Sequence, residues 1–218
     1  MEESRRGDRS RWAPLEPAVF VALALVYIWI LKPTRIDAIR IPFITVVVLI
    51  PIASALWHRD RLPELGLRLD NLADSAREVG IATAIGAALI LAMGLPAGGG
   101  RAWPGMWSGL ATYPFWGLAQ QYAMQSFTYR RLREGWGRPG GAAAGAAILF
   151  GLAHWPNVAL ALVTAIGGYV WCRLFERHPN LLTLALSHGW LAVLVRRAWP
   201  AEWLHNLRIG PSFWTWTP

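Results

Sequence analysis

The chain has 218 residues, of which 55% are hydrophobic and only 16% charged, and it carries 14 Trp. Soluble domains average roughly 25% charged residues, so this composition excludes an ordinary water-exposed globule and indicates a single polytopic membrane domain. The formal charge of +8 is distributed along segments that flank apolar runs, which argues against nucleic acid as a partner.

In chain order, residues 1–14 form a basic tail with Arg5, Arg6, Arg9 and Arg11. It resembles the n-region of a signal peptide, but no small-x-small cleavage pattern follows, so the first apolar run is expected to stay as a span. Apolar runs approaching the roughly 20 residues needed to cross about 30 Å of hydrocarbon lie near 15–31, 41–57, 79–95, 107–128, 141–154, 158–176 and 181–199. The expected fold is therefore all-α, a polytopic transmembrane helical bundle of about seven to eight spans. Residues 15–104 would hold the N-terminal helices, 105–199 a core, and 200–218 an interfacial aromatic tail with Trp203, Trp214 and Trp216 beside Trp199.

Three breaks punctuate this pattern. In the polar connection 58–78, Asp70, Asn71 and Asp74 are placed to cap the third helix. Pro96, Gly98, Gly99, Gly100 and Pro104 interrupt the chain before the fourth run, and Gly135 to Gly141 before the fifth. Gly141 and Gly145 then make a small-xxx-small pattern that predicts a close helix–helix approach. The fifth run is short, and Pro156 breaks or kinks any helix that continues through it.

With seven spans and a cytoplasmic N-terminus, 14 of the 21 Lys and Arg residues fall on the cytoplasmic side, in keeping with the positive-inside rule. The reading is an integral protein of a bacterial cytoplasmic membrane. Lipids, through anionic head groups at the Arg clusters, are the expected partners.

Polar side chains within the apolar runs need a reason, because hydrocarbon offers them no hydrogen bond. Gln121 and Gln125 share a helix face, and Gln120 lies about 100° from Gln121. Phe150 and His154 are an i,i+4 pair, Asn157 follows beyond Pro156, and His188 sits between Ser187 and Gly189. Taken singly these are interhelical hydrogen-bond formers. Two imidazoles in separate segments together with three glutamines point instead to an inward-facing polar site. Zinc wants three or four His, Cys or carboxylate ligands, and the spans supply two His and Cys172 with no carboxylate away from their ends. No metal and no cofactor are expected. A Ser–His pair through Ser126 or Ser187 is disfavoured, because Ser187 and His188 are neighbours pointing to different faces.

These residues, in this order, resemble the CAAX protease and bacteriocin-processing (CPBP) family of intramembrane glutamic proteases, over roughly residues 105–195. The family's Phe-x-x-x-His motif is intact from Phe150 to His154, with Trp155, Pro156 and Asn157 continuing it, and His188 lies in a segment like the last-motif helix. The first motif, Glu-Glu-x-x-x-Arg, reads Gln120, Gln121 and Gln125 here, and Ala192 stands where an oxyanion Asn is usual. The resemblance implies an endopeptidase acting on a membrane-embedded or membrane-proximal protein segment. It assigns His154 as base or water-orienting group, His188 as oxyanion donor and Gln120 to the position of the catalytic Glu, with Gln121, Gln125, Asn157 and Phe150 supporting them. Gln is nearly isosteric with Glu but cannot accept a proton, so the alternative is a silent homologue that binds, protects or scaffolds a membrane partner.

Overall fold

The computed structural model describes residues 12–100 and 105–217. The basic tail Arg5 to Arg11 and the segment 101–104, with Arg101 and Pro104, lie outside them. Among the described residues the secondary structure is entirely helical. Helix α1 spans Leu15–Thr34, α2 Asp37–His58, α3 Leu72–Gly94, α5 Pro139–Leu152, α6 Val158–Arg177 and α7 Leu181–Ala198. Between α3 and α5, α4 runs over 106–136 and is built of Met106–Gln121, a wider π-helical stretch Tyr122–Tyr129, and Arg130–Trp136. A short α8, Ala201–Leu204, opens the tail.

Each of the seven apolar runs thus becomes a helix. Five of them, α1, α2, α3, α6 and α7, are long and apolar enough to cross a membrane, and the chain is an integral membrane protein. The other two depart for separate reasons: α4 carries Pro114, Gln120, Gln121 and Gln125 in its apolar stretch, and α5, with 14 residues, is about 21 Å long at 1.5 Å per residue.

Contacts sort the helix ends into two groups. At one end Glu16 of α1, Ser54 and His58 of α2, Asp60, and Arg130, Arg131 and Glu134 of α4 meet in one ion-pair network. At the other, Gly100 bonds the Arg197 carbonyl, Gly210 bonds the Trp155 carbonyl, and Asn157 bonds the carbonyls of Leu204 and Arg208. Between them α5 and α6 pair as a hairpin, with Gly140 near Arg173 and Gly151 against the Ala161 carbonyl. The short α5 therefore reaches from the ion-pair end to the tail end.

Arg131 organises the first group. Its side chain is fully buried; Nε donates to Ser54 Oγ at 2.8 Å, Nη1 to Glu134 at 2.7 Å, and Nη2 to Asp60. His58 bridges Glu16 at 2.7 Å and Glu134 at 3.3 Å. Burying a guanidinium is costly unless its charge and donors are met, and here three separate segments converge to meet them.

Two expectations change in detail. Asn71 does occupy the N-cap position of α3, but its side chain makes no capping bond. Its amide instead donates to the Pro179 carbonyl and its oxygen accepts from Asn180, tying the α2–α3 loop to the start of α7. The Gly141/Gly145 pattern does not seat a neighbouring helix backbone. A Cβ on Gly145 would meet the Trp136 ring at 2.6 Å, whereas backbone contact in this hairpin comes at Gly151, where a Cβ would lie 2.9 Å from the Ala161 carbonyl. The physical reason is that α5 buries alanines at 142, 143, 146 and 147, so small side chains already cover its inner face.

Replacing Arg131 by Gln removes the fully buried cation of the network and leaves Asp60 to Arg130, and Glu16 and Glu134 to His58. The expected loss is about 3–5 kcal/mol, against less than about 0.5 kcal/mol for Arg40→Gln, which breaks only the i,i+3 pair with the exposed Asp37. Thermal unfolding of the detergent-solubilised variants, followed by circular dichroism, checks the ordering.

Candidate functional site

The polar residues of the spans come together where α4, α5, α6 and α7 meet. Helices α4 and α7 approach so closely that a Cβ on Gly189 would lie 2.5 Å from Pro114 N, and one on Gly117 would lie 2.9 Å from the Ala185 carbonyl. Pro114 suits this contact, because a proline has no N–H to keep bonded within its own helix. One turn beyond Gly117, Gln121 Nε2 lies 3.2 Å from His188 Nδ1, and Gln125 Nε2 donates to Gln121 Oε1 at 3.0 Å. Both glutamines are fully buried and His188 is nearly so. His188 sits about 10 Å along α7 from Leu181, at 1.5 Å per residue.

Aromatic rings fix the imidazoles. His188 stacks on Trp171 of α6 with centroids 4.7 Å apart and meets Phe150 edge-on at 5.8 Å, while the same Phe150 ring meets His154 edge-on at 4.9 Å. His154 Nδ1 lies 2.7 Å from the Phe150 carbonyl. That carbonyl can only accept, so Nδ1 carries the proton and Nε2 keeps its lone pair. In the orientation the amides adopt, Gln121 donates to His188 Nδ1, which places the second proton on His188 Nε2. One imidazole is thus set to accept a proton and the other to donate a hydrogen bond.

The helix that carries the glutamines is unusual. From Met124 to Tyr129 six consecutive residues are buried, more than one full turn, so this stretch is surrounded by neighbouring segments on every side. Stretches of π-helix are rare and occur frequently at functional sites.

Gln120 lies on the neighbouring face of α4, partly buried, and its side chain bonds to none of the described residues. Asn157 is fully buried, but its bonds run away from the histidines. It caps α6 through Leu160 N at 3.1 Å and holds the tail through the Leu204 carbonyl at 2.6 Å. The serines are occupied elsewhere: Ser126 donates to the Leu65 carbonyl, and Ser187 accepts from Thr83 and from Trp171 Nε1. Among the described residues no group of three or more His, Cys, Asp or Glu could hold a metal ion. Trp171, which shapes the site as much as Phe150 does, carried no motif signal in the sequence. Only its place one turn from Gly167 and Gly168, in a helix with space beside it, could have drawn attention.

Residues 101–194 match the family model described as type II CAAX prenyl endopeptidase Rce1-like. This segment is Rce1-like. No curated protein and no solved structure matches the chain. The Rce1-like segment contains α4, α5, α6 and most of α7, and so every residue of the polar site. The first three helices and the tail lie outside the match and pack around it.

The contact at Gly189 predicts a sharp contrast between glycines. Gly189→Ala forces α7 off the Pro114 backbone, lengthens the Gln121–His188 bond and lowers stability by about 1–3 kcal/mol. Gly80→Ala, with nothing within 4 Å of the added carbon, is expected to stabilise by up to about 1 kcal/mol through helix propensity. Paired thermal melts in detergent test both signs.

Proposed function

We propose that this CAAX-protease-like membrane protein is an intramembrane endopeptidase that hydrolyses an amide bond in a membrane-associated peptide or protein terminus. The observation that carries this reading is the pair of imidazoles on one phenyl ring, His154 with a free Nε2 lone pair and His188 with an Nε2 proton. His154 takes a proton from water as hydroxide attacks the scissile carbonyl, and His188 donates to the oxygen that becomes negative in the tetrahedral intermediate. His154 then returns the proton to the departing amine.

The glutamines have positioning roles. Gln121, held by Gln125, selects the His188 tautomer, which a carboxylate at the same place would reverse by accepting from Nδ1. Gln120, in the position of the family's catalytic Glu, faces the neighbouring side of α4, and its amide cannot take a proton from water. The loss of a carboxylate base costs typically 10²–10⁴-fold, so the reaction proceeds slowly, with an imidazole as the base.

Cleavage of a membrane-peptide library by the full chain in liposomes tests this. Wild type is expected to cleave, His154→Ala to lose about 10²–10⁴-fold, and Gln120→Glu to gain within the same range. Silence from wild type alongside activity in Gln120→Glu would mean a protease scaffold whose chemistry is switched off. Silence from all three would favour a binding or scaffold protein.

A further inference from the structure

At the ion-pair end a second polar feature lies away from the histidines. A cavity of about 300 Å³ opens between the α2–α3 loop, the end of α4 and the end of α6, at the lower limit of ligand-sized pockets, roughly 300–1,000 Å³. Its wall carries Arg68, Arg130 and Arg133 together with Glu64, Glu134 and Glu176. By count the charges balance; what is left over on the wall is hydrogen-bond donors.

The carboxylates are already occupied. Glu176 accepts from the Tyr129 hydroxyl and pairs with Arg133 Nε at 3.4 Å. Glu134 accepts from Arg131 at 2.7 Å and pairs with His58 at 3.3 Å, both groups from behind the cavity wall. Glu64 Oε2 accepts from the Arg61 backbone N–H at 3.1 Å and lies 3.4 Å from Arg130 Nη2. The guanidiniums retain donors. Arg133 uses Nε and Nη1, on Glu176 and the Gly137 carbonyl, and keeps Nη2; Arg68 uses Nε and Nη2, both on the exposed Asp70, and keeps Nη1. Arg130 is already met, by Asp60 at 2.7 Å and Glu64 at 3.4 Å. Two guanidiniums with unused N–H groups on one cavity, Arg68 and Arg133, favour an anion that presents several acceptor oxygens.

We propose that this cavity binds a phosphate group, and that its source is a phospholipid head group. Position decides the source. The cavity lies where α4 and α6 end, at the level where a bilayer's phosphates would lie, and the loop that forms one wall exposes Leu62, Leu67 and Leu69, with Leu69 73% exposed. Apolar side chains that protrude from a polar connection beside an arginine cavity suit acyl chains below a phosphate, and give a free phosphate ion nothing to contact. This site is independent of the peptidase reading and uses none of its residues.

The test uses the purified full chain in detergent and follows its thermal midpoint with three probes at matched concentration: short-chain phosphatidylglycerol, short-chain diacylglycerol and inorganic phosphate. Only the phospholipid is expected to raise the midpoint. Arg68→Gln and Arg133→Gln should each weaken that response about tenfold, as for the loss of one charge-assisted hydrogen bond. Arg40→Gln should leave it unchanged. Arg68 bonds only to its exposed neighbour, so removing it does not threaten the fold. An equal shift with inorganic phosphate overturns the lipid source, an equal shift with diacylglycerol overturns the phosphate, and a wild-type response from both arginine variants places the lipid elsewhere.

Discussion

The site depends on one close approach. Where α7 crosses α4, the missing side chain of Gly189 lets the helix rest on the backbone of Pro114, and Gly117 does the same for the Ala185 carbonyl. Hydrocarbon cannot solvate an amide or an imidazole, so Gln121 and His188 are tolerable at depth only if each satisfies the other. Their 3.2 Å contact exists because no Cβ stands between the two backbones. The hydroxyl contacts that join α3 to α7, Ser75 with Thr183 and Thr83 with Ser187, brace the other side of α7 and leave His188 turned toward α4 and α6.

The two polar regions follow opposite rules. At the ion-pair end full charges are gathered around Arg131 and balanced by other full charges, with Glu16, Asp60 and Glu134 drawn from three segments. Within the bundle the polar groups are neutral amides, imidazoles and hydroxyls, and aromatic rings close around them. This division separates anchoring from chemistry. The charged end fixes α1 and α2 to the end of α4 in a way that neutral contacts could not, and the interior avoids the much larger cost of an unpaired ion. The Gln121–Gln125 hydrogen bond fits the same economy of charge, since it joins two buried side chains of α4 without an ion.

Much of this was readable from residue spacing. Hydropathy located α1 to α7, and the intact Phe150-to-His154 spacing, with His188 and the glutamine cluster, pointed to the segment that the Rce1-like family model matches. What escaped the sequence depends on three-dimensional detail. Gln120 and Gln121 are adjacent letters, and only the rotation of α4 against α7 decides which one meets His188. The π turn after Gln121 leaves no compositional trace, and Trp171 is one tryptophan among 14. Asn157 reads as part of a motif, but its amide is taken up by backbone carbonyls that arrive 47 and 51 positions later. The small-residue pattern at Gly141 and Gly145 misled because alanines nearby make the whole inner face of α5 equally small.

That long-range use of Asn157 has a bearing on how the protein is made. Its side chain stands at the start of α6, just after the turn that holds His154, and its amide protons find their acceptors only in the Leu204 and Arg208 carbonyls. During synthesis those carbonyls emerge 47 and 51 residues after Asn157. Until they do, the turn between α5 and α6 carries a polar group without its final partners, and the aromatic segment containing His205, stacked on Phe213, has yet to settle over it. The helices can insert in order, but the end of the bundle beside His154 closes only after the segment that holds Leu204 and Arg208 has followed them, so α5 and α6 enter the membrane with that end still open.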